Sequence, residues 1–251
     1  MVVPLFKSHY SLGRSILTLS NEYKKSGPES IIKICLDNEL EDLHLVEDCM
    51  SGFLQAYINS KESKLKLIFG LRIEVCSDIE DKSEESHESA SKYIVYCLNS
   101  QGYKDLIKLH DLAAKEGFYY KPRIDYDNLK KLWTKNLMLC VPFYDSFIFN
   151  NNFLGRSCFP ELDFADSVTF FIEDNGLPFD DLLTDNIQTF VKNTNHKTEK
   201  AKSIFYKNKK DFKHYLTFRC INNRSTLNMP QLEHMTSDEF CFESWKEQNE
   251  S

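Results

Sequence analysis

Charged and hydrogen-bonding side chains follow the first apolar run of the sequence, where they are suited to binding an anion. Val2 to Phe6 has the composition of a short buried strand, and Lys7, Ser8 and His9 come directly after it, with Arg14 a little further on. Two cationic side chains beside a hydroxyl and an imidazole can donate hydrogen bonds to a phosphate group. We therefore predict phosphate binding by Lys7 and Arg14. A lone histidine such as His9 is more often a hydrogen-bonding residue than a metal ligand.

The composition is that of a folded, acidic, globular chain. The 251 residues are 41% hydrophobic, with a net charge of −7 and a pI near 5.6. The molecule as a whole is therefore unsuited to electrostatic binding of nucleic acid. The length fits one large domain or two small ones. Because there is neither an apolar run long enough to cross a membrane nor a secretory signal, we expect a cytoplasmic protein.

Eight cysteines are scattered along the chain, and none of them forms a C-x-x-C pair. Several lie inside apolar runs, which is typical of buried, reduced thiols in a cytosolic protein. The alternative interpretation is a disulfide framework or a structural zinc site.

The most informative stretch runs from Tyr93 to Leu129. It begins with an apolar run, 93–98, that predicts a buried strand, and Gly102 then suits a turn with positive φ. From residue 103 the apolar residues recur at helical spacing as far as Gly117, which is suited to ending a helix. Asp125 or Asp127 is suited to capping a second helix. The stretch therefore predicts strand, helix, extended aromatic segment and helix.

This stretch resembles the PHP (polymerase and histidinol phosphatase) domain, in the version found at the start of the bacterial DNA polymerase III alpha subunit. The resemblance depends on an ordered set of matching residues. They are Asn99, Gly102, Tyr103, Leu106, Leu109, Ala113, Gly117, Phe118, Tyr119, Pro122, Arg123, Ile124, Asp125 and Leu129. The alternative is an unrelated strand–helix unit with one apolar face.

The resemblance implies an α/β fold, a distorted (β/α)7 TIM-like barrel of the PHP type, formed by a single domain over residues 1–251. Active members of the family hold three divalent metal ions at the strand ends. Asp48 matches a family aspartate, and His9 and Glu173 are further possible ligands. Other ligand positions carry unsuitable residues, namely Leu5, Lys7, Cys49, Arg72, Ser203 and Phe205.

Lys7 and Arg72 place positive charges where the family has metal ligands, and this argues against the three-metal cluster. A like charge about 4 Å from a cation costs on the order of 4 kcal/mol at an effective dielectric constant near 20. We therefore expect no cofactor, or at most one weakly bound divalent metal (Mn, Zn or Mg) at Asp48, His9 and Glu173. For Lys7 and Arg72 we favour a buried ion pair that replaced a metal, with Asp48 and Arg72 as the candidate partners, over ligand binding.

Two functional hypotheses follow from the resemblance. The first is a non-catalytic accessory module of DNA replication, with replication proteins or DNA ends as partners. The second is a metal-dependent phosphoesterase or 3′–5′ exonuclease with a rearranged site, in which Asp48, His9 and Arg72 are catalytic. A chain of this length lacks room for a polymerase, and it looks similar to small PHP-like proteins that bacteriophages encode, which would place it in the host cytoplasm.

Several further segments have compositions that predict local structure. Residues 77–91 are rich in serine and acidic residues and predict a solvated surface loop, whereas residues 222–251 resemble a C-terminal extension. Asparagines at 150–152 predict a turn, and the polar stretch 193–202 predicts a loop. The run Phe118-Tyr119-Tyr120 could stack on bases or pack against the protein, and we favour packing.

Overall fold

The computed structural model describes residues 2–21, 27–228 and 237–250. The chain divides into two compact units. Unit 1 comprises Met1–Phe69, Glu173–Asp180 and Lys200–Ser251, and unit 2 comprises Gly70–Ile172 and Asp181–Glu199. The single domain expected from the sequence stays a prediction. No helix in the described part of the chain is long and apolar enough to span a bilayer. All eight cysteines are described and are free thiols, as predicted.

Three parallel strands form the centre of unit 1. β1 (Val3–Phe6) pairs with β2 (Asp42–Glu47) on one side and with β8 (Lys197–Ile204) on the other. β2 also pairs with β3 (Lys66–Cys76). β1 has a neighbour on each side, and its residues Pro4, Leu5 and Phe6 are buried, as is typical of interior parallel strands. The helices of this unit are α1 (Ile31–Asp37), α2 (Phe53–Glu62), α8 (Phe212–Asn222) and α9 (Phe242–Glu250).

The register of these strands brings polar residues to one edge of the sheet. Phe6 at the end of β1 lies beside Leu45 of β2 and Ile204 of β8. The residues that follow each strand therefore leave the sheet at the same edge. In α/β barrels this edge, at the carboxyl ends of the strands, is where functional sites lie.

The strands of unit 2 have the order β7-β6-β4-β3-β5. β4 is antiparallel to β3 and β6, whereas β5 is parallel to β3 and β7 is parallel to β6. The strands are β4 (Ser91–Cys97), β5 (Ile124–Asp125), β6 (Leu137–Val141) and β7 (Thr169–Ile172). The helices are α3 (Glu84–Glu88), α4 (Ser100–Lys115), α5 (Tyr126–Leu132), α6 (Phe147–Phe153) and α7 (Asp180–Val191).

The predicted strand and helices between Tyr93 and Leu129 are present, and their caps explain their bounds. The side chain of Asn99 accepts hydrogen bonds from the backbone N–H groups of Gln101 and Gly102 and so begins α4. Asp125 accepts the N–H of Asn128 at 2.8 Å and begins α5. The predicted capping role of Asp125 is confirmed.

Two glycines in this stretch are required by close approach of other backbone segments. Gly102 was predicted to adopt a positive φ, which is wrong, because it lies in the first turn of α4. A Cβ at Gly102 would lie 2.2 Å from the carbonyl oxygen of Asn136, and one at Gly117 would lie 1.9 Å from that of Arg123. Both positions therefore exclude side chains for steric reasons.

Residues 77–91 are more ordered than the predicted surface loop. They contain α3, and Ile79 and Ala90 form a small apolar cluster with Cys76 and Leu112. The segment is held by Arg123, whose guanidinium is fully buried. Arg123 donates hydrogen bonds to the carbonyl oxygens of Ile79, Asp81 and Gly117 and to the hydroxyl of Ser86. Residues 84–88 form a helix where a loop was predicted, and this long-range anchor compensates for the polar composition of the segment.

The aromatic run 118–120 is less buried than the favoured packing implies. Phe118 is 52% exposed and Tyr120 is 79% exposed, whereas the Tyr119 ring lies beneath the guanidinium of Arg123 at 5.0 Å. The favoured packing was therefore wrong for Phe118 and Tyr120.

The turn predicted at 150–152 was wrong as well, and the loop predicted at 193–202 is confirmed only over 193–196. Asparagines 150–152 lie in α6, which begins where the Ser146 hydroxyl accepts the N–H of Phe149. The Asn150 amide donates to the carbonyl oxygen of Ala90, so the polar side chain is satisfied within a helix. Residues 197–202 belong to β8, whose first four side chains are exposed. Backbone pairing forms that strand despite its polar sequence.

The C-terminal extension packs on unit 1 where it is described. Helix α9 buries Phe242 and Trp245, and the indole N–H of Trp245 donates to the carbonyl oxygen of Val2 at 2.8 Å. Residues 229–236 and Ser251 of the predicted extension lie outside the described residues.

Candidate functional site

An ion pair joins the ends of β1 and β2. The Lys7 ammonium lies 2.8 Å from Oδ2 of Asp48 and donates a hydrogen bond to it. The Lys7 side chain is 4% exposed and that of Asp48 is 27% exposed, so the pair is largely shielded from solvent. Desolvation of a lysine must be offset by an opposite charge and hydrogen bonds. Asp48, the predicted catalytic residue and metal ligand, is therefore bound by a cation that belongs to the chain.

A second carboxylate, that of Glu47, organises the turn after β1. It is fully buried and accepts hydrogen bonds from the backbone N–H of Ser8, at 2.9 Å, and from the hydroxyl of Ser11. Ser11 Oγ in turn accepts the backbone N–H of Asp48 at 2.8 Å. Burial raises the pKa of Glu47, while the hydrogen bonds from Ser11 and Ser8 and the charge of Lys7 act in the opposite direction. The sequence analysis missed Glu47, although a carboxylate that closes an apolar strand was a visible signal.

The raised pKa of Glu47 predicts a pH-dependent effect of Glu47→Gln. The folded chain holds this proton more tightly than the unfolded chain, in which a glutamate has a pKa of about 4.3. The stability from this group is full below that pH and is lost as the pH rises through the higher folded pKa. Glutamine stays neutral, so the free energy of unfolding of Glu47→Gln, relative to the unmodified protein, should increase between about pH 4 and pH 7. Urea unfolding at both pH values measures this difference, and a constant or decreasing value contradicts the prediction.

His9 and Arg14 lie in the turn that follows β1. The His9 N–H donates to the carbonyl oxygen of Leu17 at 2.8 Å, and its ring centroid lies 4.4 Å from that of Tyr10. His9 Nδ1 is buried and makes no hydrogen bond within the described residues. The backbone N–H of Arg14 donates to the carbonyl oxygen of Ser11. Phosphate binding by Lys7 and Arg14 stays a prediction.

Glu173, the third predicted metal ligand, follows β7 and is committed to hydrogen bonds. Its carboxylate accepts the backbone N–H of Ser203 at 2.9 Å and the Ser203 hydroxyl at 2.8 Å. A third bond comes from the side-chain amide of Asn175 at 3.0 Å. Glu173 is buried. Three donors therefore occupy the carboxylate from within the chain.

Arg72, the predicted catalytic cation, lies in unit 2 and points into the protein. Its guanidinium donates to Oδ2 of Asp145 at 2.9 Å, and its side chain is 12% exposed. Asp145 has a φ of +63°, an uncommon conformation for a residue with a side chain. The sequence analysis offered Asp48, and not Asp145, as the candidate partner of Arg72. The predicted pair of Asp48 with Arg72 joins residues of different units and stays a prediction.

A family model described as "PHP domain" matches residues 7–151, more than half of the chain. The chain belongs to the PHP domain family. Among curated proteins, this PHP domain is 37% identical over 82 residues to the DNA polymerase III subunit alpha of Chlamydia trachomatis, which covers 32% of the chain and 7% of that protein. It is 34% identical over 82 residues to the same subunit of Borreliella burgdorferi. With that of Aquifex aeolicus it shares 25% identity over 191 residues, which is 70% of the chain and 16% of that subunit.

The comparisons confirm the predicted family and its relation to the DNA polymerase III alpha subunit. The predicted fold class, an α/β TIM-like barrel of the PHP type, is confirmed as well. The PHP domain spans less than a fifth of the length of the curated relatives that it matches.

The family resemblance implies a three-metal cluster, and the loss of its ligands in this PHP domain stays a prediction. Within residues 2–21, 27–228 and 237–250, no three His, Cys, Asp or Glu side chains are grouped so that they could share a metal ion. Two of the predicted metal ligands already have partners within the chain. Asp48 pairs with Lys7, and Glu173 accepts hydrogen bonds from Ser203 and Asn175. Three adjacent divalent ions need many anionic and imidazole ligands to offset their repulsion.

Proposed function

We propose that this PHP domain is a non-catalytic module that acts as an accessory in DNA replication. The observation that carries the proposal is the ion pair between Lys7 and Asp48 at the ends of β1 and β2. An ammonium at 2.8 Å occupies the carboxylate that a metal-dependent phosphoesterase would need. The hydrogen bonds to Glu173 support the same conclusion.

The relatives supply the context of replication. The curated proteins that match the chain are named DNA polymerase III subunit alpha. A PHP module without a metal cluster would contribute to replication by binding other molecules, so we propose replication proteins or DNA ends as its partners. We also propose that it is located in the cytoplasm and needs no cofactor. In a bacteriophage the location would be the host cytoplasm.

A nuclease assay tests the proposal. The purified protein is incubated with DNA labelled at the 3′ end in the presence of Mn²⁺, Zn²⁺ or Mg²⁺, and release of labelled nucleotide is measured. We expect the same release from the unmodified protein and from Asp48→Asn, because neither has a working metal site. Asp37→Asn, which changes an exposed carboxylate, controls for purification background. Metal-dependent release that Asp48→Asn abolishes and Asp37→Asn retains would overturn the proposal.

One observation favours the second candidate, a metal-dependent phosphoesterase or 3′–5′ exonuclease with a rearranged site. His9 Nδ1 is buried without a hydrogen-bond partner among the described residues, which leaves one imidazole nitrogen uncommitted near the end of β1. The same assay with His9→Gln distinguishes the candidates, since this variant loses activity only if His9 takes part in a reaction.

A further inference from the structure

A buried arginine of α8 has no partner for its charge in the described part of the chain. Arg219 is 3% exposed, and a guanidinium cannot be deprotonated in a protein. Its Nη1 donates a hydrogen bond to the carbonyl oxygen of Gly13 at 2.9 Å. Its Nε is buried and makes no hydrogen bond, and no carboxylate of the described residues pairs with the guanidinium.

The other buried cations of the described residues are compensated. Lys7 and Lys202 each form an ion pair with a carboxylate, and Arg123 donates hydrogen bonds to four acceptors. Burial of a charge costs free energy unless a counter-charge or a full set of hydrogen bonds offsets it. An anion bound at Arg219 would supply what this guanidinium lacks.

The side-chain amide of Asn222 lies against the same turn as Arg219. A Cβ at Gly13 would lie 2.2 Å from Nδ2 of Asn222, so the amide contacts the residue whose carbonyl oxygen Arg219 binds. Asn222 Nδ2 donates to Oδ1 of Asn223 at 3.2 Å, and its second N–H is unused within the described residues. Two donors of α8 therefore meet at Gly13, and all of these residues belong to unit 1.

This end of α8 is open to solvent and positively charged. Asn222 and Arg224 are exposed, and Ile221 is 71% exposed. Residues 212–228 contain lysine and arginine but no aspartate or glutamate, although the whole chain has a net charge of −7. The local charge therefore attracts anions to the surface above Arg219.

The arrangement of the donors selects a phosphate group. Because Nη1 is bound to Gly13, the edge formed by Nε and Nη2 remains, and such an edge binds two oxygens of one anion. A carboxylate has only two oxygens, whereas a phosphate offers a further oxygen to the Asn222 amide. We propose that Arg219 and Asn222 bind a phosphate group beside Gly13. The proposal does not depend on whether the domain is catalytic, and it does not involve Lys7, which is bound to Asp48.

Thermal unfolding and isothermal titration calorimetry in buffer free of phosphate and sulfate test the proposal. The probes are inorganic phosphate and a short oligothymidylate that carries either a 5′-phosphate or a 5′-hydroxyl. Arg219→Met removes the charge and keeps an apolar stem, and Asn222→Ala removes the second donor at an exposed position. Lys213→Met is the matched control, because it removes an exposed cation from the same helix.

We expect phosphate to raise the Tm of the unmodified protein and of Lys213→Met and to leave that of Arg219→Met unchanged. Without phosphate, Arg219→Met should be at least as stable as the unmodified protein, since it no longer buries an uncompensated charge. The Kd for phosphate should rise about tenfold or more in Arg219→Met, about threefold in Asn222→Ala and less than about twofold in Lys213→Met.

The oligothymidylates identify the source of the phosphate group. Tighter binding of the 5′-phosphorylated strand, lost in Arg219→Met, would support the end of a DNA strand as the ligand. Equal binding of both strands, together with Arg219-dependent binding of inorganic phosphate, would support free phosphate. The proposal is overturned if inorganic phosphate does not bind, or if it binds Arg219→Met or Asn222→Ala as tightly as the unmodified protein. Equal losses from Arg219→Met and Lys213→Met would also overturn it, because net charge alone would then explain binding.

Discussion

Replacing Asp48 with alanine is expected to lower the free energy of unfolding by about 3 kcal/mol. The Lys7 ammonium would remain buried after losing the carboxylate that lies 2.8 Å away. The loss of one partner from a buried ion pair costs more than the pair contributes, because the remaining charge stays desolvated. Urea unfolding of the unmodified protein and of Asp48→Ala measures the change.

A double-mutant cycle separates the ion pair from other effects of the substitution. Lys7→Met removes the charge and keeps most of the apolar stem, so Lys7→Met/Asp48→Ala should be more stable than Asp48→Ala alone. Asp37→Ala, at an exposed position of α1, should change stability by less than about 0.5 kcal/mol. If the costs of the two single substitutions simply add in the double variant, the pair is not coupled and our explanation of the site is wrong.

Replacing Arg123 with methionine is also expected to cost about 3 kcal/mol of unfolding free energy. Methionine fills a similar space, but it donates no hydrogen bond to the carbonyl oxygens of Ile79, Asp81 and Gly117 or to the hydroxyl of Ser86. Buried acceptors without donors are expensive. Thermal or urea unfolding measures the loss.

Lys115→Met is the matched control for Arg123→Met. Lys115 lies on the exposed face of α4 and pairs with Asp111, which is exposed as well. Surface pairs at this spacing contribute about 0.3–0.5 kcal/mol, so the control should be nearly neutral. A similar, small loss from both substitutions would mean that Arg123 does not anchor the segment 77–91.

Local sequence signals predicted much of the scaffold. Asp125, which was predicted to cap a helix, does so by bonding its own neighbours; Asn99 caps α4 in the same way, although it was not assigned that role from the sequence. Gly117 was correctly placed after the end of α4, where Arg123 comes too close for any side chain. These features depend on contacts between residues near each other in the sequence, which composition and spacing reveal.

The site was less predictable because its contacts are long-range. Lys7 and Asp48 belong to different strands, and nothing local indicates that the lysine finds this aspartate. Asp145 pairs with Arg72 through its side chain, although the two residues are 73 positions apart in the chain. The helix and buried contacts within residues 77–91 were not predicted for the same reason, because they depend on hydrogen bonds from the distant Arg123. Resemblance to a family gave the positions of these residues without their partners.

The positive charge that balances Asp48 is the ammonium group of Lys7, which is part of the chain itself. Domains that fold around divalent ions depend on the supply of those ions and can be denatured by chelators. Because Lys7 and Asp48 belong to the same polypeptide, every folded chain contains both partners, and the cation cannot dissociate into solution. The charge that balances Asp48 at this strand edge is therefore present in every copy of the folded chain.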